Sequence, residues 1–167
     1  MIVHPNFSLV QPLLVILAVI LCSSSSQAAG PTVPKPTATL TSSVFDWDKM
    51  PVRATATGER REIVDAPTPT LAQFRSHVST INPGTPWGAP EKHTDEEIVI
   101  VKEGTLDYEI NGQVHRVNAG GVIIVVAGEF HRVRNSSSAP ATYYVFHAVT
   151  AEARAAAETL GQSTGSK

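Results

Sequence analysis

The chain has 167 residues, with 13 Lys and Arg against 15 Asp and Glu, which gives a formal net charge of −2. That length corresponds to one domain of ordinary size. The charge balance offers neither a basic excess for a nucleic-acid backbone nor an acidic tail, so we expect no nucleic-acid partner.

The N-terminal region predicts a signal peptide over residues 1–28. Residues 13–22 are uniformly apolar, and ten residues are too few to span a bilayer but match a signal-peptide core. Small residues lead up to Ala28, so we predict cleavage after it, with Ala29 as the alternative and an uncleaved membrane tether left open. After cleavage the chain would be exported, periplasmic or secreted, with no stable membrane span.

The segment after the cleavage site is not expected to pack. Residues 29–43 are rich in Pro, Thr, Ala and Ser without a hydrophobic period, which predicts a disordered linker. Packed structure would begin at Val44, and we expect Trp47 to anchor the core or its rim. The single Cys of the sequence, Cys22, lies before the cleavage site, so no function of the mature chain would rest on a thiol.

Two strands are predicted next, over residues 58–64 and 71–81. His77 lies on the second strand, and we favour a hydrogen-bonded structural role for it over a role in a pocket. The strand ends at a turn, residues 82–84. The stiff loop that follows carries Trp87, a candidate to cap a pocket, because loops commonly carry binding and catalytic residues.

A further strand over residues 97–102 places Glu97 on one face and Ile98 and Ile100 on the other. If Glu97 points inward, the two Ile side chains need cover, either from the N-terminal strands or from a second subunit. We therefore predict a homodimer.

The dipeptide Asn111-Gly112, between alternating apolar residues, predicts a two-residue hairpin. Its register pairs Tyr108 with His115, so we expect His115 to be a semi-buried partner of Tyr108 and not a ligand. The unbroken apolar run 122–126 then predicts a strand buried on both faces.

Beyond that run, His131 shares one strand face with Val133 while two Arg residues share the other, which places His131 inside. Residues 142–149 predict the closing strand, and His147 lies on it, but either face of this strand could look inward. The tail, residues 151–167, is expected to form one short Ala-rich helix and then to be disordered.

The simplest physical interpretation brings His93, Glu97 and His131 together inside a small barrel, where they would bind a metal ion. His93 precedes Glu97 by four positions, on the segment that enters the strand. The alternative is a polar, hydrogen-bonded core of the same three side chains without metal.

The same stretch resembles the two sequence motifs of the cupin superfamily. The first family motif runs Gly, five residues, His-x-His, three or four residues, Glu, six residues, Gly. This chain reads Gly84, six residues, Glu91-Lys92-His93, three residues, Glu97, six residues, Gly104. It departs by one extra residue after Gly84 and by Glu91 in place of the first His.

The second motif matches more closely. The family motif runs Gly, five residues, Pro-x-Gly, two residues, His, three residues, Asn. This chain reads Gly120, five residues, Val126-Ala127-Gly128, two residues, His131, three residues, Asn135. It departs at Val126, which replaces the Pro.

The resemblance implies an all-β fold. This is a single cupin-type double-stranded β-helix, or jelly-roll barrel, over residues 44–150, with short N-terminal strands and a short C-terminal helix. It also implies a metal site made by His93, Glu97 and His131, with Glu91 in the slot of the missing His. Such ligands suit a divalent transition metal, Mn or Fe before Zn, Ni or Cu.

Three roles stay open for Glu91. It would be a second carboxylate ligand, or it would turn outward and leave a three-ligand site, or it would mark a cupin that no longer binds metal. If it is not a ligand, Glu91 is the candidate catalytic general base, because burial in an apolar barrel raises the pKa of a carboxyl group.

Two functions follow from the resemblance, because cupins include dioxygenases, decarboxylases, isomerases and non-catalytic binding proteins. The first is an exported metal-dependent enzyme that acts on a small oxygenated organic molecule, with dioxygenase-type or related oxidoreductase chemistry. The alternative is a non-catalytic cupin that binds a sugar or another small ligand. Nothing in the sequence names the substrate.

Overall fold

The computed structural model describes residues 38–159. The predicted signal peptide, its cleavage site and most of the predicted linker lie outside the described residues, so they stay predictions. Within the described part, no helix is long and apolar enough to cross a membrane. The elements of this part are, in chain order, a 3₁₀ turn (Trp47–Lys49), β1 (Val52–Thr55), β2 (Gly58–Ala66), β3 (Gln73–Ile81), β4 (Glu96–Glu103), β5 (Thr105–Ile110), β6 (Gln113–Asn118), β7 (Val122–Val125), β8 (His131–Arg134), β9 (Ala141–Val149) and α1 (Ala151–Thr159).

The strands of the described residues form two antiparallel sheets, which are the walls of a barrel. The larger sheet has the strand order β1-β2-β3-β9-β4-β7, and the smaller has the order β6-β5-β8. Buried side chains from both sheets, among them Val99 and Leu106, form one apolar cluster between them. The predicted all-β barrel with a short C-terminal helix is therefore confirmed.

Strand β4 shows the alternation that the sequence predicts. Glu97, Val99 and Val101 are buried on the inner face, whereas Ile98 is partly exposed on the outer face. Burying a Val side chain contributes about 1.5–3 kcal/mol. The two Val side chains therefore belong to the apolar interior, and Glu97 lies at the end of this apolar row.

The hairpin between β5 and β6 is confirmed, together with its register. Asn111 and Gly112 have φ angles of 48° and 83°, the left-handed values that a two-residue turn of this kind needs. Tyr108 pairs with His115 as predicted. His115 is nevertheless exposed, because β6 is an edge strand of the smaller sheet. The prediction that His115 is a semi-buried partner of Tyr108 is wrong.

Strand β7 is buried on its inner face but not on its outer face. Val122 and Ile124 are 59% and 62% exposed, whereas Ile123 and Val125 are buried. The strand lies at the edge of the larger sheet, where it pairs with β4. The prediction of burial on both faces is wrong, because an unbroken apolar run does not reveal whether anything covers the outer face.

The two Trp residues stack on cations. The Arg61 guanidinium and the Lys102 ammonium lie 4.4 and 4.0 Å from the ring centroid of Trp47, which is half-buried, as a rim anchor would be. The ring of Trp87 lies 4.9 and 4.4 Å from the guanidinium groups of Arg132 and Arg134, on the strand face opposite to His131. Trp87 therefore does not cap the interior.

Candidate metal centre

The barrel holds a cavity of about 820 Å³. The four predicted ligands are all among the residues that line it: Glu91, His93, Glu97 and His131. The structure therefore brings together side chains that the sequence places on separate segments.

Backbone pairing brings Glu91 and His93 to the site. Glu91 and His131 exchange two backbone hydrogen bonds, of 2.8 and 2.9 Å. The amide of Gly128 donates to the carbonyl oxygen of His93 at 2.8 Å. These bonds join the two motif segments, although the hairpin separates them in sequence.

The Glu97 carboxylate lies at the centre of the cluster. Its Oε2 atom is 3.6 Å from His93 Nε2 and 3.5 Å from His131 Nε2. Glu91 lies further out, with Oε2 at 3.9 Å from His93 Nε2 and a side chain that is 58% exposed. The apolar enclosure that we expected around Glu91 as a catalytic base is therefore not found, and Glu91 lies at the cavity mouth.

His147 on β9, which the sequence did not single out as a ligand, completes the cluster. The register pairs it directly with Glu97 across β4 and β9. Its side chain is buried, and its Nε2 atom is 3.3 Å from Glu97 Oε2. The ring centroids of His131 and His147 each lie 5.1 Å from that of His93. Three imidazoles therefore surround one carboxylate oxygen.

Tyr108 on β5 fixes the orientation of Glu97. Its hydroxyl donates to Glu97 Oε1 at 2.5 Å, which leaves Oε2 facing the imidazoles. Burial would raise the pKa of Glu97, but hydrogen bonds with His131 and Tyr108 outweigh this effect and lower the pKa to about 2. Burial also raises the pKa of Tyr108. At neutral pH, Tyr108 is therefore a donor and Glu97 an anion.

A buried carboxylate, Asp95, lies behind His147. Its Oδ2 atom is 2.8 Å from His147 Nδ1 and 3.3 Å from Nη2 of Arg75. Burial would raise the pKa of Asp95, but the hydrogen bond with His147 and the nearby positive charges outweigh it and lower the pKa. Asp95 is therefore an ionised acceptor for the His147 ring.

Hydrogen bonds at Nδ1 determine how His131 and His147 present their other nitrogen. The Nδ1 atom of His131 is 3.3 Å from the carbonyl oxygen of Glu129, and that of His147 faces Asp95. A carbonyl and a carboxylate accept hydrogen bonds without donating, so each ring carries a hydrogen on Nδ1. In a neutral ring, Nε2 then presents its lone pair to Glu97.

This donor set fits a divalent metal ion. In neutral His131 and His147 rings, the Nε2 lone pairs face Glu97 Oε2 at 3.5 and 3.3 Å, and such lone pairs repel unless a cation lies between them. Burial would lower the pKa of His131, but the hydrogen bond to Glu97 outweighs it and raises the pKa, so a proton on His131 relieves part of the repulsion. Burial lowers the pKa of His93, which favours a neutral ring. A first-row divalent ion would satisfy all of these donors at once.

His77 lies on the wall of the same cavity. Its position fits the pocket role better than the structural role that we favoured from the sequence. Burial, together with the charge of Arg60, lowers the pKa of His77 to about 3, so its ring is neutral at neutral pH. His77 belongs to neither of the two clusters of the described residues that are close enough to hold a metal ion.

Comparisons with known proteins agree with this fold. A family model described as a cupin domain matches residues 77–147. The cupin domain of Cnp3 from Schizosaccharomyces pombe is 17% identical, with a TM-score of 0.55 over 72% of this chain and 81% of that chain. The polyketide cyclase RemF from Streptomyces resistomycificus is 16% identical, with a TM-score of 0.54 over 65% of this chain and 80% of that chain. A predicted oxalate decarboxylase from Thermotoga maritima is 17% identical, with a TM-score of 0.52 over 64% of this chain and 99% of that chain.

At such identities the structural likeness concerns the fold and not the reaction. No curated protein matches the sequence. The matched region runs from His77 to His147 and contains every member of the candidate metal-ligating cluster described above. Residues 77–147 therefore form a cupin domain, and the strands around them have the fold of the cupin structures above.

Proposed function

We propose that this domain binds one divalent transition ion, Mn or Fe before Zn, Ni or Cu, through His93, Glu97 and His131. The observation that carries the proposal is the position of Glu97 Oε2, which lies 3.3–3.6 Å from Nε2 of three His residues. Imidazoles and a carboxylate, with further positions left open, are donors that such ions bind in non-haem enzymes.

We propose further that the loaded site acts on a small oxygenated organic molecule. The cavity volume of about 820 Å³ is within the range of small-molecule sites. A bound ion would supply a Lewis acid or a centre that binds oxygen and substrate. The protein itself would hold Glu97 in one orientation through Tyr108 and offer hydrogen bonds to a ligand from wall residues such as His77.

One observation favours the second function, non-catalytic binding of a sugar or another small ligand. Glu91, the candidate general base, has a side chain that is 58% exposed at the cavity mouth. A carboxylate in contact with water lacks the apolar surroundings that make such a group an effective base at neutral pH. A binding protein would need no base and would use the same cavity.

Elemental analysis of the purified protein tests the metal proposal. We expect about one divalent ion per chain in the wild type, and its loss in His131→Ala, because this change removes a donor beside Glu97. His115→Ala is the matched control, since it removes an exposed imidazole on β6 and should leave the ion content unchanged. Sub-stoichiometric metal that His131→Ala does not change would contradict metal binding and favour the ligand-binding function.

A further inference from the structure

We propose that His147 is the fourth protein ligand of this ion, in the role that the family motif gives to its first His. In the sequence, that motif position is occupied by Glu91. The inference rests on the metal binding proposed above. It assigns a ligand to the closing strand β9, outside both sequence motifs.

Distance and burial favour His147 over Glu91. Among the described residues, two groups are close enough to hold an ion: one contains His93, Glu97 and His147, and the other contains Glu91, His93 and His131. His147 Nε2 and Glu97 Oε2 are 3.3 Å apart, and both side chains are buried. The Glu91 carboxylate is 3.9 Å from His93 Nε2 and is largely in solvent, where water competes with an ion for its oxygens.

The surroundings of His147 are those of an oriented ligand. Asp95 accepts the Nδ1 hydrogen at 2.8 Å and is itself paired with Arg75 at 3.3 Å. This bond turns the Nε2 lone pair toward Glu97. Metal-ligating His residues commonly have a carboxylate behind the ring that fixes its tautomer and orientation.

Packing alone does not account for this arrangement. Asp95 and His147 are both buried, and removing a carboxylate from water carries a desolvation cost. A packing role for the ring would not require a buried anion behind it. A metal ligand, in contrast, needs the ring hydrogen to be held on Nδ1 by an acceptor, because the Nε2 lone pair is then free to coordinate an ion.

The assignment changes what Glu91 does. The ion would be held by three imidazoles and one carboxylate, all from the interior of the barrel. Glu91 would remain at the mouth of the cavity, where it would meet ligands that enter. Asp95 would be a positioning residue, because it acts on the ion through His147.

Pulsed electron paramagnetic resonance of the protein loaded with Cu²⁺ alone counts the bound imidazoles. We expect three in the wild type and in Glu91→Gln, and two in His147→Gln. The number of bound imidazoles in the wild type requires no substitution, so it tests the assignment even if His147→Gln does not fold. Circular dichroism of each variant checks that the barrel is intact.

Titration calorimetry with Mn²⁺ alone gives the second measurement. Asp95→Asn retains the His147 imidazole but removes the charge behind it, and we expect it to weaken binding by about 10- to 100-fold. Glu91→Gln should leave the affinity nearly unchanged. If the wild type shows only two bound imidazoles and Glu91→Gln loses affinity for Mn²⁺, the assignment of His147 as a ligand is wrong. The metal proposal would still hold in that case. A wild type that binds neither Cu²⁺ nor Mn²⁺ would overturn the metal proposal and this inference with it.

Discussion

At the residue scale, the two oxygens of Glu97 have separate tasks. Tyr108 occupies Oε1, so that Oε2 is available to the three imidazoles. Hydrogen bonds offset the cost of burying this carboxylate, as its lowered pKa of about 2 indicates. The orientation of Glu97 should therefore depend on the Tyr108 hydroxyl.

Replacing Tyr108 by Phe tests this dependence. We expect Tyr108→Phe to weaken ion binding by about 10- to 100-fold, because the carboxylate is no longer held in place. In the ion-free protein it should lower the free energy of unfolding by about 1.5–3 kcal/mol, because a buried anion loses a hydrogen bond. Calorimetry and chemical denaturation measure the two effects. The control is Tyr144→Phe, which removes a hydroxyl from the face of β9 opposite to His147. An equal effect of Tyr144→Phe on ion binding and stability would contradict the prediction.

We expect His77 to make the ion-free protein sensitive to acid. Its pKa is lowered to about 3, chiefly by burial, whereas the unfolded chain binds a proton at this ring below about pH 6.5. Between these values the unfolded state binds more protons than the native state, so the free energy of unfolding rises with pH. On acidification from pH 6.5 to 5 it should fall by up to about 1.4 kcal/mol per pH unit.

Chemical denaturation of the ion-free protein across that range measures the slope. His77→Gln should flatten it, whereas His115→Gln, at an exposed position, should not. A slope that persists unchanged in His77→Gln would assign the effect to other groups. His93 would be the first of these, since burial lowers its pKa as well.

At the element scale, features that depend on chain neighbours were predictable. The Asn111-Gly112 turn and the inner position of Glu97 both follow from local patterns, and both are confirmed. Gly104, the last residue of the first motif, has a φ of 77°, and a Cβ atom there would lie 2.5 Å from the carbonyl oxygen of Pro140. The glycine at this motif position therefore has a steric reason in this chain.

Two features that depend on distant strands were not predicted, the inward position of His147 and the exposed outer face of β7. His147 faces Glu97 because β9 pairs with β4, and residues 142–149 carry no signal of that pairing. Aromatic side chains occur on both faces of this strand, at Tyr143 and Tyr144, so alternation did not show which face is inside. The exposed outer face of β7 was missed for a related reason, because cover depends on what lies beside a strand.

At the scale of the whole molecule, the outer face of the larger sheet is where we expect a second subunit. Ile98, Val122 and Ile124 are 40–62% exposed, and Ile98 lies directly opposite Ile124 across β4 and β7. Adjacent exposed β-branched side chains form the kind of patch that is commonly covered by a partner. The homodimer stays a prediction.

Light scattering on the purified protein tests the predicted homodimer. We expect the wild type to have twice the mass of the chain and Ile124→Asp to be monomeric, because a charge at this contact would be buried without a partner. Val114→Asp changes a residue of comparable exposure on β6 of the smaller sheet, and it should leave the mass unchanged. A monomeric wild type would exclude the predicted homodimer.

The place of β9 between β3 and β4 affects how the barrel is completed. Without this strand, the larger sheet would separate into two pieces with open edges. Glu97 would also lose His147, its partner across β4 and β9. A chain synthesised from its N-terminus cannot make these pairings until almost the whole domain has emerged. If His147 holds the ion, metal uptake would be a late event, and a truncated or stalled chain would have no complete site to retain it.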